Sequence, residues 1–388
     1  MELSVIPYGR QDVDQADIDA VVDVLKSDFL TQGPVTPKFE DAVATYCGVK
    51  HAVSVNSATS ALHIACLALG VGAGDRVWTS PITFVASANC ALYCGASVDF
   101  VDIDPLTYNM SVTALEEKLI NAEKLGRLPK VLIPVHLTGQ SCEMEAIHLL
   151  SKKYGFKIIE DASHAIGGRY QNVAVGSCKY SDITVFSFHP VKIITTAEGG
   201  LALTNATDLA RKMELFRSHG ITREAAEMVG ASDGPWYYQQ IELGFNYRMT
   251  ELQAALGLSQ MTRLDQFVQV RHQIFEQYNS QLDQGHIQLP WQHPDTYSSL
   301  HLYVVRVKAT PTLSRLDIFN QLRSAGIGVN LHYIPVYLQP YYRKLGFEVG
   351  HCRNAEQYYA EAISLPMYTQ LDIEKQQYVS NVLNGVFS

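Results

Sequence analysis

Concentrated positive charge is missing from this 388-residue chain: 30 lysines and arginines stand against 39 aspartates and glutamates, and the formal net charge is −9. Affinity for a phosphate backbone comes from displacing counterions with clustered cations, so this composition argues against nucleic acid as a partner. Long apolar runs are missing as well. The longest, SALHIACLALGVG at 60–72, is short for a bilayer and is interrupted by His63. The start, MELSVIPYGRQDVDQADIDAVVDVL, has acidic residues where a signal or transit peptide is basic, so a cytoplasmic protein with no membrane partner is expected. The seven cysteines (47, 66, 90, 94, 142, 178 and 352) are odd in number and scattered, with no Cys-x-x-Cys. That pattern signals neither a disulfide framework nor a zinc site, and the expectation is packed, reduced thiols and no metal. Repeats, low-complexity tracts and Pro/Ser linkers are also absent, so the organisation has to be read from apolar periodicity.

What is present is a 47% hydrophobic chain long enough to bury a large core and to form more than one domain. Strand patterns at 51–56, 75–81, 97–104, 130–137, 157–162, 182–188 and 199–204 alternate in the first half with helical patterns at 57–70, 84–96, 112–125 and 143–155. Such alternation implies an α/β fold, a mostly parallel sheet covered on both faces, with ligands at the carboxyl ends of the strands. Past residue 245 the character changes to a helical pattern of more than thirty residues, opened by a Thr250/Gln253 capping box. After it, HLYVVRV reads as a strand, TLSRLDIFNQLRSAG as a helix, IGVNLHY as a strand and NAEQYYAEAISLP as a helix. The expected division is a large domain over 1–250 and, over 251–388, a bridging helix with a small α+β domain.

Four stretches fall where a site should be. Ser57, Ala58 and Thr59 join a strand to a helix and leave free N–H groups with two hydroxyls at the helix N-terminus, as an anion cradle or an ordinary cap. KIIEDASHAIGG ends a strand on Glu160 and Asp161 with His164 three residues on; a carboxylate there caps the next turn or binds a ligand cation. In VFSFHPVKIITTAEGG, Ser187 and Lys192 flank FHPV between two strands. A lysine in such a run either snorkels to solvent or is a desolvated amine able to form a Schiff base. Asn246 and Arg248 stand at the head of the long helix, as capping groups or as site residues. Together the set has one chemical meaning. A phosphate cradle, a carboxylate at a strand end and a buried lysine about thirty residues later are the parts that pyridoxal 5'-phosphate (PLP) needs, for its phosphate, its pyridine nitrogen and its aldehyde.

The stretches NSATSALHIA, EDASHAIG, FSFHPVKIITTAEGG, FRSHG and LGFNYRMTELQAALG make the chain similar, over nearly its whole length, to the sugar aminotransferases of the DegT/DnrJ/EryC1/StrS family. The resemblance implies the aspartate-aminotransferase-like PLP fold of type I, with a large α/β/α domain and a small C-terminal α+β domain. It implies Lys192 as the Schiff-base lysine, Asp161 as the partner of the pyridine nitrogen and His164 as a group beside the ring hydroxyl. Ser57, Ala58, Thr59 and Ser187 match phosphate ligands, and Phe84 matches the aromatic that stacks on the cofactor. Asn246 matches a phosphate ligand from the neighbouring subunit, which implies a homodimer with shared sites. Tyr8, Thr31, Arg248, His332 and Tyr333 lie in segments that border the sugar-nucleotide pocket in relatives. The activity implied is transfer of an amino group from L-glutamate, leaving 2-oxoglutarate, to the C4 ketone of a UDP-linked 4-keto-6-deoxy-N-acetylhexosamine. Another nucleotide-linked 4-keto sugar, such as UDP-4-keto-arabinose or a dTDP-linked 4-keto-6-deoxyhexose, is the alternative, and a non-catalytic nucleotide-sugar-binding regulator is a more distant one. Lys192 counts against a PLP-dependent sugar dehydratase, which usually has histidine there. GVGAGD at 70–75 follows a helix and precedes a strand, the reverse of a dinucleotide fingerprint.

Overall fold

The strand patterns pair as their burial requires. In the computed structural model, which describes residues 5–310 and 313–387, seven strands form one sheet in the order His51–Val55, Gly200–Thr204, Ile183–Ser187, Lys157–Asp161, Val131–Ile133, Arg76–Thr79, Ser97–Phe100. Residues 1–4, at the head of the acidic start, and Thr312, at the head of the TLSRLDIFNQLRSAG pattern, lie outside the described residues. Only Gly200–Thr204 runs against its neighbours; the other pairings in the sheet are parallel. Every residue of Ile183–Ser187 and Gly200–Thr204 is buried, as continuous apolar strands covered on both faces must be. The helices Ala58–Ala68, Val112–Lys124 and Met144–Tyr154 start within a residue or two of the patterns that announce them. The first two are capped by Ser57 and Ser111, whose side chains accept from the backbone N–H three residues on. All seven cysteines are unpaired thiols, six of them buried. No helix among the described residues is long and apolar enough to cross a membrane.

Three expectations are corrected. The single long helix is two, Glu251–Met261 and Leu264–Gln281. Its capping box forms as read, with Thr250 and Gln253 each accepting from the other's backbone N–H. The break falls at Arg263, whose backbone leaves helical geometry (φ −110°, ψ 3°) while its guanidinium reaches Asp12 at 3.4 Å, Asp14 at 3.2 Å and the buried Asp17 at 2.5 Å. Asp17 has no water to turn to, so the cation has to come to it. Secondly, IGVNLHY is no strand. Its backbone makes single bridges, Ile327 to Ile6 and Asn330 to Ser364, and then turns away with His332 and Tyr333. Thirdly, NAEQYYAEAISLP splits into the helix Arg353–Glu361 and the fully buried strand Ala362–Leu365, which pairs with Tyr303–Val307. The second half of the broken helix spans two packing centres. Leu264, Phe267 and Val268 pack with Phe39 and Phe188, whereas Ile274, Tyr278 and Leu282 pack with Tyr303, Val305 and Ile363.

Candidate active site

The parallel strands end on one edge of the sheet, and a cavity of about 980 Å³ opens there. One of the strand ends, that of Lys157–Asp161, carries two neighbouring carboxylates, and strand alternation separates them. Glu160 faces away: it takes the His136 Nε2 at 2.7 Å and the hydroxyls of Ser181 and Thr184 at 2.5 and 3.0 Å, a buried polar knot outside the cavity. Asp161 lines the cavity. Its Oδ1 accepts the Ser163 N–H at 3.1 Å and its Oδ2 the Ser87 hydroxyl at 2.6 Å.

Lys192 sits on the turn between Ile183–Ser187 and Gly200–Thr204. The buried Ile193 and Ile194 anchor this turn, and the Thr195 hydroxyl closes it on the Phe188 carbonyl at 3.0 Å. Loss of water pulls the Lys192 amine down from the usual 10.5 to about 8, against the opposing pull of the Asp161 carboxylate. Lys192 is half-buried and lines the cavity, the placement that a desolvated amine requires. Three imidazoles share the wall. Burial, helped by the nearby lysine, holds His164 and His301 well below the ordinary histidine range and His332 down at about 3, so all three are neutral.

His164 has a fixed tautomer. The Thr138 N–H donates to its Nδ1 at 3.3 Å, which leaves the ring proton on Nε2, and that proton is donated to the Tyr333 oxygen at 3.2 Å. The phenolic proton of Tyr333 is thereby released from His164, and burial pushes its ionisation up, so Tyr333 faces the cavity as a donor.

At the opposite wall, Ser57 caps the helix Ala58–Ala68, and the first-turn N–H groups of Ala58 and Thr59 have no intrahelical acceptor. Gly200 comes so close behind this turn that a Cβ there would lie 2.4 Å from the Ala58 nitrogen and 2.4 Å from the Ser57 carbonyl carbon. Only glycine allows the strand to back the cradle this tightly. Ser187, Phe84 and Tyr8 line the same cavity. The Tyr8 ring lies 5.5 Å from that of His332, and Phe84 is 61% exposed with its ring 6.4 Å from Tyr333.

Three expected residues are not brought to this cavity within the chain. Thr31 and Asn246 are exposed, each paired by a single backbone bridge, with Thr250 and Ser218 respectively. Arg248 lines a separate cavity of about 200 Å³ with Glu40 and Arg217. Two residues at the site escape sequence reading. His301, 3% exposed, lies with its ring tilted 4.4 Å from that of His164, and its only signal is a polar residue opening the apolar strand HLYVVRV. Ser87, in contact with Asp161, has as its signal a hydroxyl four residues after Thr83 in a helical pattern.

The sequence profile of the DegT/DnrJ/EryC1/StrS aminotransferase family matches residues 11–384. The UDP-4-amino-4,6-dideoxy-N-acetyl-beta-L-altrosamine transaminase of Campylobacter jejuni is 39% identical over 384 residues, 98% of this chain and 97% of its own. Among solved structures, Helicobacter pylori PseC, an aminotransferase involved in the biosynthesis of pseudoaminic acid, superposes with a TM-score of 0.90 at 35% identity, covering 99% of both chains. The PLP form of Spr1654 from Streptococcus pneumoniae superposes with a TM-score of 0.88 at 30% identity, covering 98% of both.

Proposed function

The chain belongs to the DegT/DnrJ/EryC1/StrS aminotransferase family, and from that premise we propose that it is a PLP-dependent aminotransferase of pseudaminic acid biosynthesis. It moves an amino group from L-glutamate to the C4 ketone of a UDP-linked 4-keto-6-deoxy-N-acetylhexosamine and forms UDP-4-amino-4,6-dideoxy-N-acetyl-beta-L-altrosamine. The observation that carries the reading is the meeting, in one cavity, of a desolvated lysine amine, a carboxylate oriented by two donors and an open helix N-terminus. The 39% identity to the Campylobacter jejuni transaminase supports the choice of sugar.

The residues present fit the cofactor. The cradle at Ser57, Ala58 and Thr59, backed by Gly200 and joined by Ser187, suits a phosphate dianion at a helix N-terminus. Asp161 would pair with the pyridine nitrogen, Phe84 would cover the ring and Lys192 would hold the aldehyde carbon. Bound there, PLP supplies an electron sink through which an amine can pass between an amino acid and a ketone.

The chain's own groups do the rest. An amine near pH 8 gives and takes protons readily at neutral pH, so Lys192 Nζ is matched to moving a proton between the substrate carbon and its neighbour. Neutral His164 keeps the Tyr333 oxygen as its acceptor, and the Tyr333 hydroxyl is left to donate to substrate or cofactor oxygen. His332 and Tyr8 close the side on which the sugar nucleotide would enter. The active unit is a homodimer in which Asn246 serves the partner's cradle. Its exposure, and that of Trp236 and Leu243 (72% and 79%) in the preceding segment, supports that arrangement. Unpaired thiols agree with work in a reducing cytoplasm.

Two tests follow from this reading. UDP- and dTDP-linked 4-keto sugars are offered with isotopically labelled L-glutamate and the products are weighed. The label enters the UDP-linked N-acetylhexosamine fastest; preferred amination of a dTDP-linked sugar, or none at all, contradicts the substrate. Separately, the neutral amine is the nucleophile, and its fraction grows as pH rises past its ionisation. Uptake of PLP by protein stripped of it therefore accelerates through about pH 8 and then levels, measured by stopped-flow absorbance. A rate still climbing toward pH 10.5 means that the amine is an ordinary one.

A further inference from the structure

Asp161 is held from the side by a chain of hydroxyls that the reading above leaves unused. Ser87, in the first turn of the helix Ala86–Tyr93, is fully buried, and its hydroxyl donates to Asp161 Oδ2 at 2.6 Å. A carboxylate oxygen can only accept, so the single Ser87 proton is committed to that bond. The Thr83 oxygen, also buried, lies 2.7 Å from the Ser87 oxygen. With the serine proton spent, Thr83 must be the donor. The Phe84 carbonyl, at 3.4 Å from the Ser87 oxygen, is too distant to compete. The hydroxyls thus run in one direction, Thr83 to Ser87 to Asp161, and each bond between these buried groups polarises the next. Phe84 lies between the two hydroxyl residues in the chain. The Ser87–Asp161 bond therefore ties the strand end that carries the carboxylate to the turn that carries the aromatic ring.

We infer that Ser87 is a positioning residue for amino transfer, which fixes Asp161 and Phe84 relative to each other, and that Thr83 orients Ser87. This rests on the cavity being a PLP site. Without the serine donor the carboxylate is left with the Ser163 N–H alone, and the turn bearing Phe84 loses its side-chain link to Asp161. The loss falls on alignment of the bound state and on the reacting state alike.

The test is a double-mutant cycle read by PLP dissociation constant and by kcat and KM for L-glutamate, on wild type, Ser87→Ala, Asp161→Asn and the pair. Ser87→Ala weakens PLP binding roughly tenfold and lowers kcat by a similar factor, with KM for glutamate within about twofold, the scale of one hydrogen bond to a charged group. Because the serine acts through Asp161, the double variant binds PLP as Asp161→Asn alone does. Ser87→Cys, which keeps the volume but donates weakly, shows the same loss with an unchanged melting temperature, so a folding defect cannot mimic the result. Losses that simply add in the double variant, or a Ser87→Ala protein with wild-type affinity and kcat, overturn the inference and leave the PLP reading standing. A wild-type protein that takes up no PLP overturns both.

Discussion

Lys192→Ala stops amino transfer. Loss of a positioned acid–base group alone lowers turnover by roughly a hundred- to ten-thousandfold, and the same substitution removes the amine that would hold the cofactor. Lys192→Arg does not restore activity, because a guanidinium stays protonated and cannot act as an amine nucleophile. The stability of the fold moves the other way. The folded amine titrates near 8 and the unfolded one near 10.5, so the unfolded state binds its proton more tightly. At neutral pH the lysine therefore costs stability, a cost that shrinks as pH rises toward 10.5. Compared without PLP, the alanine variant, freed of that cost, melts no lower than wild type at pH 7, and with PLP it makes no amino sugar. A variant that is inactive because it is unfolded, or one that turns over normally, contradicts the role given to Lys192.

Mixed dimers distinguish a shared site from a private one. In a shared site, Asn246→Asp would set a negative charge against the partner's cofactor phosphate and Lys192→Ala would remove the amine, so each homodimer would be nearly inactive for a different reason. In a two-fold dimer with shared sites, a heterodimer of the two variants has one site with both defects and one with neither. Random exchange of equal amounts therefore returns about a quarter of wild-type activity, by counting chains on that symmetry. The rise should follow heterodimer formation, measured by native mass spectrometry. If Asn246 serves its own chain, every site in every mixture keeps a defect and no activity returns. The exposure of Asn246, away from the cavity that holds Lys192 in the same chain, is what gives this experiment its leverage.

Much of this was legible in the sequence, for identifiable reasons. The alternation of strands and helices from 51 to 204 is a local signal, although Ser97–Phe100 and Val131–Ile133 stop short of the runs that announce them. Lys192, Asp161 and His164 stood out because a charged or ionisable group beside an apolar strand has to be explained. The errors were all tertiary. The break at Arg263 depends on three aspartates some 250 residues away in the chain, beyond any local periodicity. The strand Ala362–Leu365 is a four-residue apolar run at the end of a helical pattern, and such a run is strand or helix according to what it meets. Periodicity is equally silent about IGVNLHY, whose backbone turns to bring His332 and Tyr333 into the cavity. The same holds within the site. Glu160 and Asp161 read alike in sequence and differ only by the face of the strand on which each projects. Ser87 and His301 are ordinary residues until the fold sets one against a carboxylate and the other against an imidazole.

The most direct test is where the cofactor attaches. Protein loaded with PLP is reduced with sodium borohydride, digested and mapped by mass. One modified peptide is expected, carrying VFSFHPVKIITTAEGG, with the pyridoxyl mass on Lys192 and none on the same peptide when PLP is withheld. A mass on any other lysine, or a protein that takes up PLP and yields no modified Lys192 peptide, contradicts it.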